Sequence, residues 1–280
     1  MALDPEQPKR QEAYIHDYDG ALTERIIAGR TAETHGAFFL PYLRAGMSLL
    51  DCGCGPGTIT VGLAQAVFPG SVTGIDLAES QVEVARKNAA KLGLSNVEFE
   101  CCDVYQLPYR DNMFDAVFSH AMLEHMHDPL AVLREMRRVL KPGGVAGIRC
   151  IDLGGTLIAP AEDTLTKAHD IWAKYRRHCG GDPFMGRRLR ALLREAGFAN
   201  TVGSASSETW GTPQLAQSMM CVLMDEFTGP KIAETAIQMG WADQAQMDKA
   251  ASVLRDWGDH ADAFMAIVWC EAVGWKERVT

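Results

Sequence analysis

No stretch of this 280-residue chain stays apolar for the roughly 20 positions a bilayer-spanning helix needs, so no membrane span is expected. Positive charge is also in deficit: 27 Lys and Arg stand against 36 Asp and Glu, a net charge of −9, and neither half of the chain reverses the sign. Proteins that hold a phosphate backbone usually concentrate basic residues on one face, which argues against a nucleic-acid partner. The densest basic stretch, Arg187, Arg188, Arg190 and Arg194, is interleaved with Leu189, Leu192 and Leu193 and reads as a solvated helix face. Metal-ligand spacing is missing: the eight cysteines include one C-x-C and one adjacent pair but no C-x-x-C, so no metal is expected. The first ten residues carry Asp4, Glu6, Lys9 and Arg10 with no apolar stretch, so neither a secretory nor a transit signal is expected. A cytoplasmic location and reduced thiols are the expectation that follows.

What is present is ordinary globular composition, 47% hydrophobic and 22% charged, without the regular repeat of a solenoid. Strand-like and helix-like segments alternate from residue 48 to residue 151. Ser48–Asp51, Ser71–Asp76, Asn96–Cys102, Phe114–Ser119 and Val145–Ile151 are predicted strands, and Thr58–Val67, Gln81–Leu92 and Asp128–Leu140 predicted helices. That rhythm predicts a parallel sheet covered on both faces. Residues 1–40 read as a helical arm, with Tyr14, Tyr18, Leu22 and Ile26 four apart and Thr31 capping a helix that runs to Leu40. Residues 41–152 form the core, and 153–182 and 212–260 fall where helical lid inserts would sit. Helices over Glu162–Cys179 and Phe184–Ala196, a strand at Asn200–Trp210, mostly helix from Pro213 to Asp259 and a last strand near Phe264–Val273 complete the pattern. The inserts are rich in Met and Trp, which serve both as core and as the wall of an irregular apolar pocket.

The strongest chemical signal is Asp51-Cys52-Gly53-Cys54-Gly55-Pro56-Gly57, between the first strand and its helix. Glycines at alternate positions let backbone approach a ligand closely, at the strand ends where open α/β sheets bind. A dinucleotide loop would read G-x-G-x-x-G, and here the third glycine comes one residue early. Asp76 ends the second strand, where a carboxylate accepts hydrogen bonds from ribose hydroxyls, and Asp103 ends the third, where an acid accepts from an exocyclic amino group. Three acids at successive strand ends, together with the glycine loop, point to a nucleoside-containing ligand.

In that order, with Leu107-Pro108-Tyr109, Phe114-Asp115-Ala116-Val117, Leu123-Glu124-His125, Asp128-Pro129 and Arg138-Val139-Leu140-Lys141-Pro142-Gly143-Gly144, the chain resembles class I S-adenosylmethionine-dependent methyltransferases. The likeness runs from about Arg30 to Ile151 and is strongest toward the small-molecule branch of ubiquinone and menaquinone C-methyltransferases. It implies a Rossmann-like α/β fold with a seven-stranded sheet whose last strand is antiparallel. It further implies that Asp51, Gly53, Gly55, Gly57 and Thr58 lie along the amino-acid and ribose parts of S-adenosyl-L-methionine. Asp76 and Gln81 would lie at its ribose, Asp103 and Val104 at the adenine, Ser119 and His120 beneath the methionine part, and Arg30 near its carboxylate.

Methyl transfer needs alignment in a dry pocket, and a base only where the nucleophile must lose a proton. Glu124 and His125 are the candidates, as base or as local hydrogen-bonding groups. Some similar quinone O-methyltransferases bind a metal through an acid three residues before the Glu, and Ala121 stands there in this chain. Tyr14 and Tyr18 could close over a substrate, and Asp152 could face the same cleft. The expected activity is methylation of a small, largely apolar or aromatic metabolite, by a protein whose homo-oligomeric state stays open. The rival reading is a cofactor-binding cyclase or sensor that transfers no methyl.

Overall fold

The computed structural model describes residues 26–278. Five strands run parallel: β1 (Leu49–Cys52), β2 (Val72–Asp76), β3 (Val97–Cys101), β4 (Phe114–His120) and β5 (Leu140–Ala159). The last, β7 (Phe264–Trp275), lies antiparallel between β5 and β6 (Ala199–Trp210), giving the order β3-β2-β1-β4-β5-β7-β6. The chain first builds outward from β1 to β3 and then crosses to β4. The reversal opens a crevice beyond the C-terminal ends of β1 and β4.

Each helix follows from local signals. Gly57, at φ +73°, turns β1 into α2 (Thr58–Val67), whose Ile59, Leu63, Ala64 and Val67 form one buried stripe. Asp128 caps α4 (Pro129–Val139) by accepting from the Ala131 amide at 2.9 Å, and Pro129 takes the first turn, where no amide donor is needed. α3 (Glu79–Lys91) packs Val82, Ala85 and Ala89 against Phe99. The expected helix from Thr31 to Leu40 is shorter: α1 (Ala32–His35) stops at Gly36, and a 3₁₀ turn at Leu40–Tyr42 follows around Pro41.

Strand alternation separates two faces. On one, Leu49, Ala116, Phe118 and Val145 meet α2 and Phe39; on the other, Leu50, Val117, Ala146 and Ile148 meet α4 and α6 (Leu189–Glu195). β5 continues well past its predicted end at Ile151. After a bulge beyond Asp152, its Leu157–Ala159 stretch pairs again with β7, and Trp210 of β6 pairs with Met265. These tall strands rise past the crevice and carry α5 (Asp163–His178), α7 (Pro213–Thr228), α8 (Pro230–Gln238) and α9 (Gln244–Gly258). The four helices share a second core of Leu165, Ile171, Met219, Phe227, Met247 and Trp257. No helix among the described residues is long and apolar enough to cross a membrane.

Candidate functional site

A cavity of about 280 Å³ opens at the sheet reversal and extends beneath the helical cluster. At one end lies the glycine loop. Gly53, Gly55 and Gly57 all have positive φ (+76°, +51° and +73°), a conformation L side chains rarely adopt. A Cβ on Gly55 would meet nothing within 4 Å, so that backbone faces open space, whereas one on Gly57 would come within 2.7 Å of Ala85 Cβ. Gly53, Gly55 and Thr58 line the cavity; Gly57 does not, and its bare Cα serves the contact with α3 and Phe99.

The acids of the strand tips converge here. Asp76 accepts from the Gly55 and Ala78 amides at 2.9 and 3.0 Å, which fixes its carboxylate beside the loop with lone pairs to spare. Burial raises its pKa, against the pull of those amides. Asp51, 2% exposed, accepts from Thr60 Oγ1 at 2.6 Å, and burial raises its pKa to about 7 despite that bond. Gln81, Asp103 and Val104 border the same space. A cradle of open glycine backbone with carboxylates at three strand tips suits a nucleoside carrying an amino-acid arm, and Arg30 lines it from the segment whose Ile27 carbonyl accepts from Thr58 Oγ1 at 3.5 Å.

Beyond β4 the chain turns sharply. Ala121, at φ +54°, directs Met122, Glu124, His125 and Met126 over the cavity. Glu124 is 1% exposed; its carboxylate lies 3.9 Å from Arg176 of α5, and its carbonyl accepts from the Asp182 amide at 2.9 Å. It therefore joins the helical cluster to the β4 turn. His125 lines the cavity on the 3₁₀ turn Leu123–His125.

A polar wall borders β4 on the opposite side from the glycine loop. The His120 ring lies 4.8 Å from Trp269 and 5.2 Å from His35, between centroids. Trp269 Nε1 donates to Glu208 at 3.0 Å, and His35 Nε2 stands 3.7 Å from the other oxygen of that carboxylate. Arg30 and Arg149 approach the Trp269 ring at 5.1 and 4.7 Å. Arg149 is in turn paired with Glu271 at 3.4 Å, and burial lowers its pKa to about 10. Burial first, then Arg30, Arg149 and His35, hold the His120 pKa well below its ordinary value, so the ring is neutral at pH 7. Burial alone would raise the Glu208 carboxyl, but His35, Arg30 and Trp269 outweigh it and keep it charged.

The far end is apolar, walled by Ile158, Leu165, Trp210, Met219, Phe227 and Met265, with His169 and Thr156 paired at 3.2 Å as a local polar spot. Met219 and Met220 thus act both as helical core and as cavity wall, whereas Met185 lies on the other face of the sheet and Met239 is exposed.

Besides Gly57, two expected site residues lie elsewhere. Asp152 does not border the cavity: it follows Ile151 on the strand, and alternation turns it to the opposite face, where Arg187 grips it at 2.6 and 2.7 Å. Ser119 is likewise on the opposite face from His120, enclosed in the layer of Val117. Tyr14 and Tyr18 fall outside the described residues. Sequence reasoning misses Glu208, Trp210 and Trp269. Their signal is period-two placement on the last two strands, where Met265, Ile267 and Trp269 line the cavity from one face of β7.

A family profile described as a methyltransferase domain matches residues 43–197. An uncharacterized methyltransferase of Schizosaccharomyces pombe is 35% identical over 210 residues, covering 73% of this chain and 75% of that protein. A probable methyltransferase of Aspergillus luteorubrus is 30% identical over 88% of this chain and 92% of its own. Among solved structures, a phosphoethanolamine N-methyltransferase of Haemonchus contortus, in complex with phosphomonomethylethanolamine and S-adenosylhomocysteine, is similar with a TM-score of 0.51. It has 20% identity over 84% of this chain and 50% of that one.

Proposed function

Because the chain belongs to the S-adenosylmethionine-dependent methyltransferases, we propose that it methylates a small, largely apolar or aromatic metabolite held between the glycine loop and the helical cluster. The observation that carries this reading is the continuity of one cavity from the three acid-tipped strands into the apolar chamber of Leu165, Trp210, Met219 and Phe227. A pocket of that lining discriminates by shape and by a few placed polar groups, as small-molecule sites do.

The cofactor would be held by Gly53 and Gly55 along its chain, Asp76 and Gln81 at the ribose, Asp103 and Val104 at the adenine, with Asp51, Thr58 and Arg30 completing the enclosure. When bound, it would supply an electrophilic methyl group carried on a sulfonium. The remaining work falls to residues of the chain: the apolar helices would exclude water, and Met122 and Met126 line the cavity at the β4 turn. His125, which lines the cavity, would take a proton where the substrate must lose one. The Glu124 carboxylate, turned toward Arg176, holds the turn to α5.

The test is incubation with S-adenosylmethionine carrying an isotope-labelled methyl group, a small-molecule extract and, in a parallel reaction, macromolecules from the same cells. Label in a small apolar product, read by mass spectrometry, is the expected result. Label confined to protein or RNA, or no label although the cofactor binds, would overturn the reading.

A further inference from the structure

Both ring nitrogens of His120 are enclosed and have no hydrogen-bond partner among the described residues, although the side chain is only 7% exposed and borders the cavity. A neutral imidazole always carries one N–H and one lone pair. Leaving such groups buried and unpaired is costly, so native structures pair them with protein, water or ligand. The rings beside it offer no partner atoms: Trp269 gives its N–H to Glu208, and His35 Nε2 faces the same carboxylate.

Where the imidazole sits decides which ligand it addresses. β4 has β1 on one side and β5 on the other, and β7 lies beyond β5. The His120 ring reaches toward β7, within 4.8 Å of Trp269, and so leans away from the β1, β2 and β3 tips that carry Asp51, Asp76 and Asp103. On the cavity wall it meets Trp269, whose ring Arg30 approaches at 5.1 Å and whose Nε1 donates to Glu208. Arg149 is matched by Glu271 and Trp269 Nε1 by Glu208, so neither is left to pair the imidazole, which being neutral addresses an uncharged oxygen.

We propose that His120 is a specificity-determining residue, whose imidazole hydrogen-bonds a neutral hydroxyl or carbonyl oxygen on the otherwise apolar substrate and so sets which of its atoms faces the cofactor. The assignment rests on the small-molecule reading of the chamber above. It also separates His120 from acid–base work. Arg30 and Arg149, each about 5 Å from the Trp269 ring that His120 meets, oppose a third positive charge there. The ring therefore donates or accepts a hydrogen bond and takes no proton.

Equilibrium dialysis with the full chain saturated with S-adenosylhomocysteine provides the test, using 1-naphthol and naphthalene as probes that differ by one hydroxyl. The protein should bind 1-naphthol about tenfold more tightly than naphthalene, the difference one hydrogen bond typically makes. In His120→Ala that preference should vanish, and in His120→Asn, which keeps a donor and an acceptor, part of it should return. S-adenosylhomocysteine affinity should stay within about threefold in both variants, a modest change in free-energy terms. In the unaltered protein, 1-naphthol and not naphthalene should shift the ¹⁵N resonances of the His120 ring, a readout that needs no variant to fold. A preference that survives in His120→Ala, an unmoved ring resonance, or a tenfold loss of S-adenosylhomocysteine binding in folded His120→Asn would each overturn the assignment. Equal affinity for the two probes would overturn it while leaving the chamber reading intact. Binding of neither probe would overturn the chamber reading, and this assignment with it.

Discussion

At the strand-tip end of the cavity, recognition groups come from short contiguous segments and are fixed by backbone: Asp76 is held by two amides, and the glycine loop by positive-φ turns that leave Gly55 open to the ligand. At the helical end the wall comes from α5, α7, β6 and β7, positions spread over more than a hundred residues, and is held by side-chain packing. The first end offers a fixed set of donors and acceptors, suited to one invariant ligand. The second offers volume and shape, which substitution changes without touching the loop. The contrast makes affinity for cofactor and affinity for substrate separately testable, because the two ends of the cavity draw on different elements of the fold.

The sharpest break of that comparison is Asp76→Ala, expected to weaken S-adenosylhomocysteine binding at least ~100-fold, since hydrogen bonds to a charged group contribute about 1.5–3 kcal/mol each. Calorimetric titration, with near-ultraviolet circular dichroism as the fold control, checks it; unchanged affinity would remove Asp76 from the site. At the other end, Met219→Ala should cost about 2–4 kcal/mol of stability, within the range for core truncations, yet leave S-adenosylhomocysteine affinity within a few-fold. Denaturant titration and calorimetry read the two quantities, and a parallel loss of both would show that the ends are coupled. Gly57→Ala should destabilise by about 2–3 kcal/mol, combining a left-handed backbone with a Cβ forced onto Ala85. Its effect belongs on stability, measured by thermal unfolding, since the residue does not border the cavity.

Two pH effects refine the picture further. Asp51 has a folded pKa raised to about 7 by burial, so between the ordinary carboxylate range and pH 7 the folded protein keeps a proton that the unfolded chain has released. Stability should therefore fall as pH rises from about 4 to 7, and Asp51→Asn should flatten that slope. Asp152 behaves oppositely. Burial would raise its pKa, but Arg187 and backbone amides outweigh it and lower it, so its contribution is present above the ordinary carboxylate pKa and is lost as pH falls through the folded value. The stability gap between the native chain and Asp152→Asn should close below about pH 4, the smallest of these effects. Unfolding midpoints across pH 3 to 8 would decide both.

The parts of the site that are legible in the sequence share one property: the residues that act together are neighbours in the chain or end successive strands. Asp51, Gly53, Gly55, Asp76 and Asp103 can be placed by strand periodicity alone, because a strand end is a local event and the sheet brings such ends to one edge. Strand-end reasoning turns Asp152 toward the cleft, and the family resemblance does the same for Ser119. Ser119 lies on its expected strand and Asp152 on a β5 that runs past its expected end, but one step along a strand reverses the face, and the face depends on what packs there. Glu208 and Trp269 cannot be joined to His120 without knowing that β7 inserts antiparallel between β5 and β6.

Composition and local pattern determined by themselves the alternating β/α order, the glycine turn and the three acid tips, since each depends on backbone geometry within a few residues. The tertiary structure alone decided that Arg30, His35, His120, Arg149, Glu208 and Trp269 form one wall, and that the four helices roof one continuous chamber. Those contacts join positions up to about 240 residues apart, and burial rather than local propensity selects them.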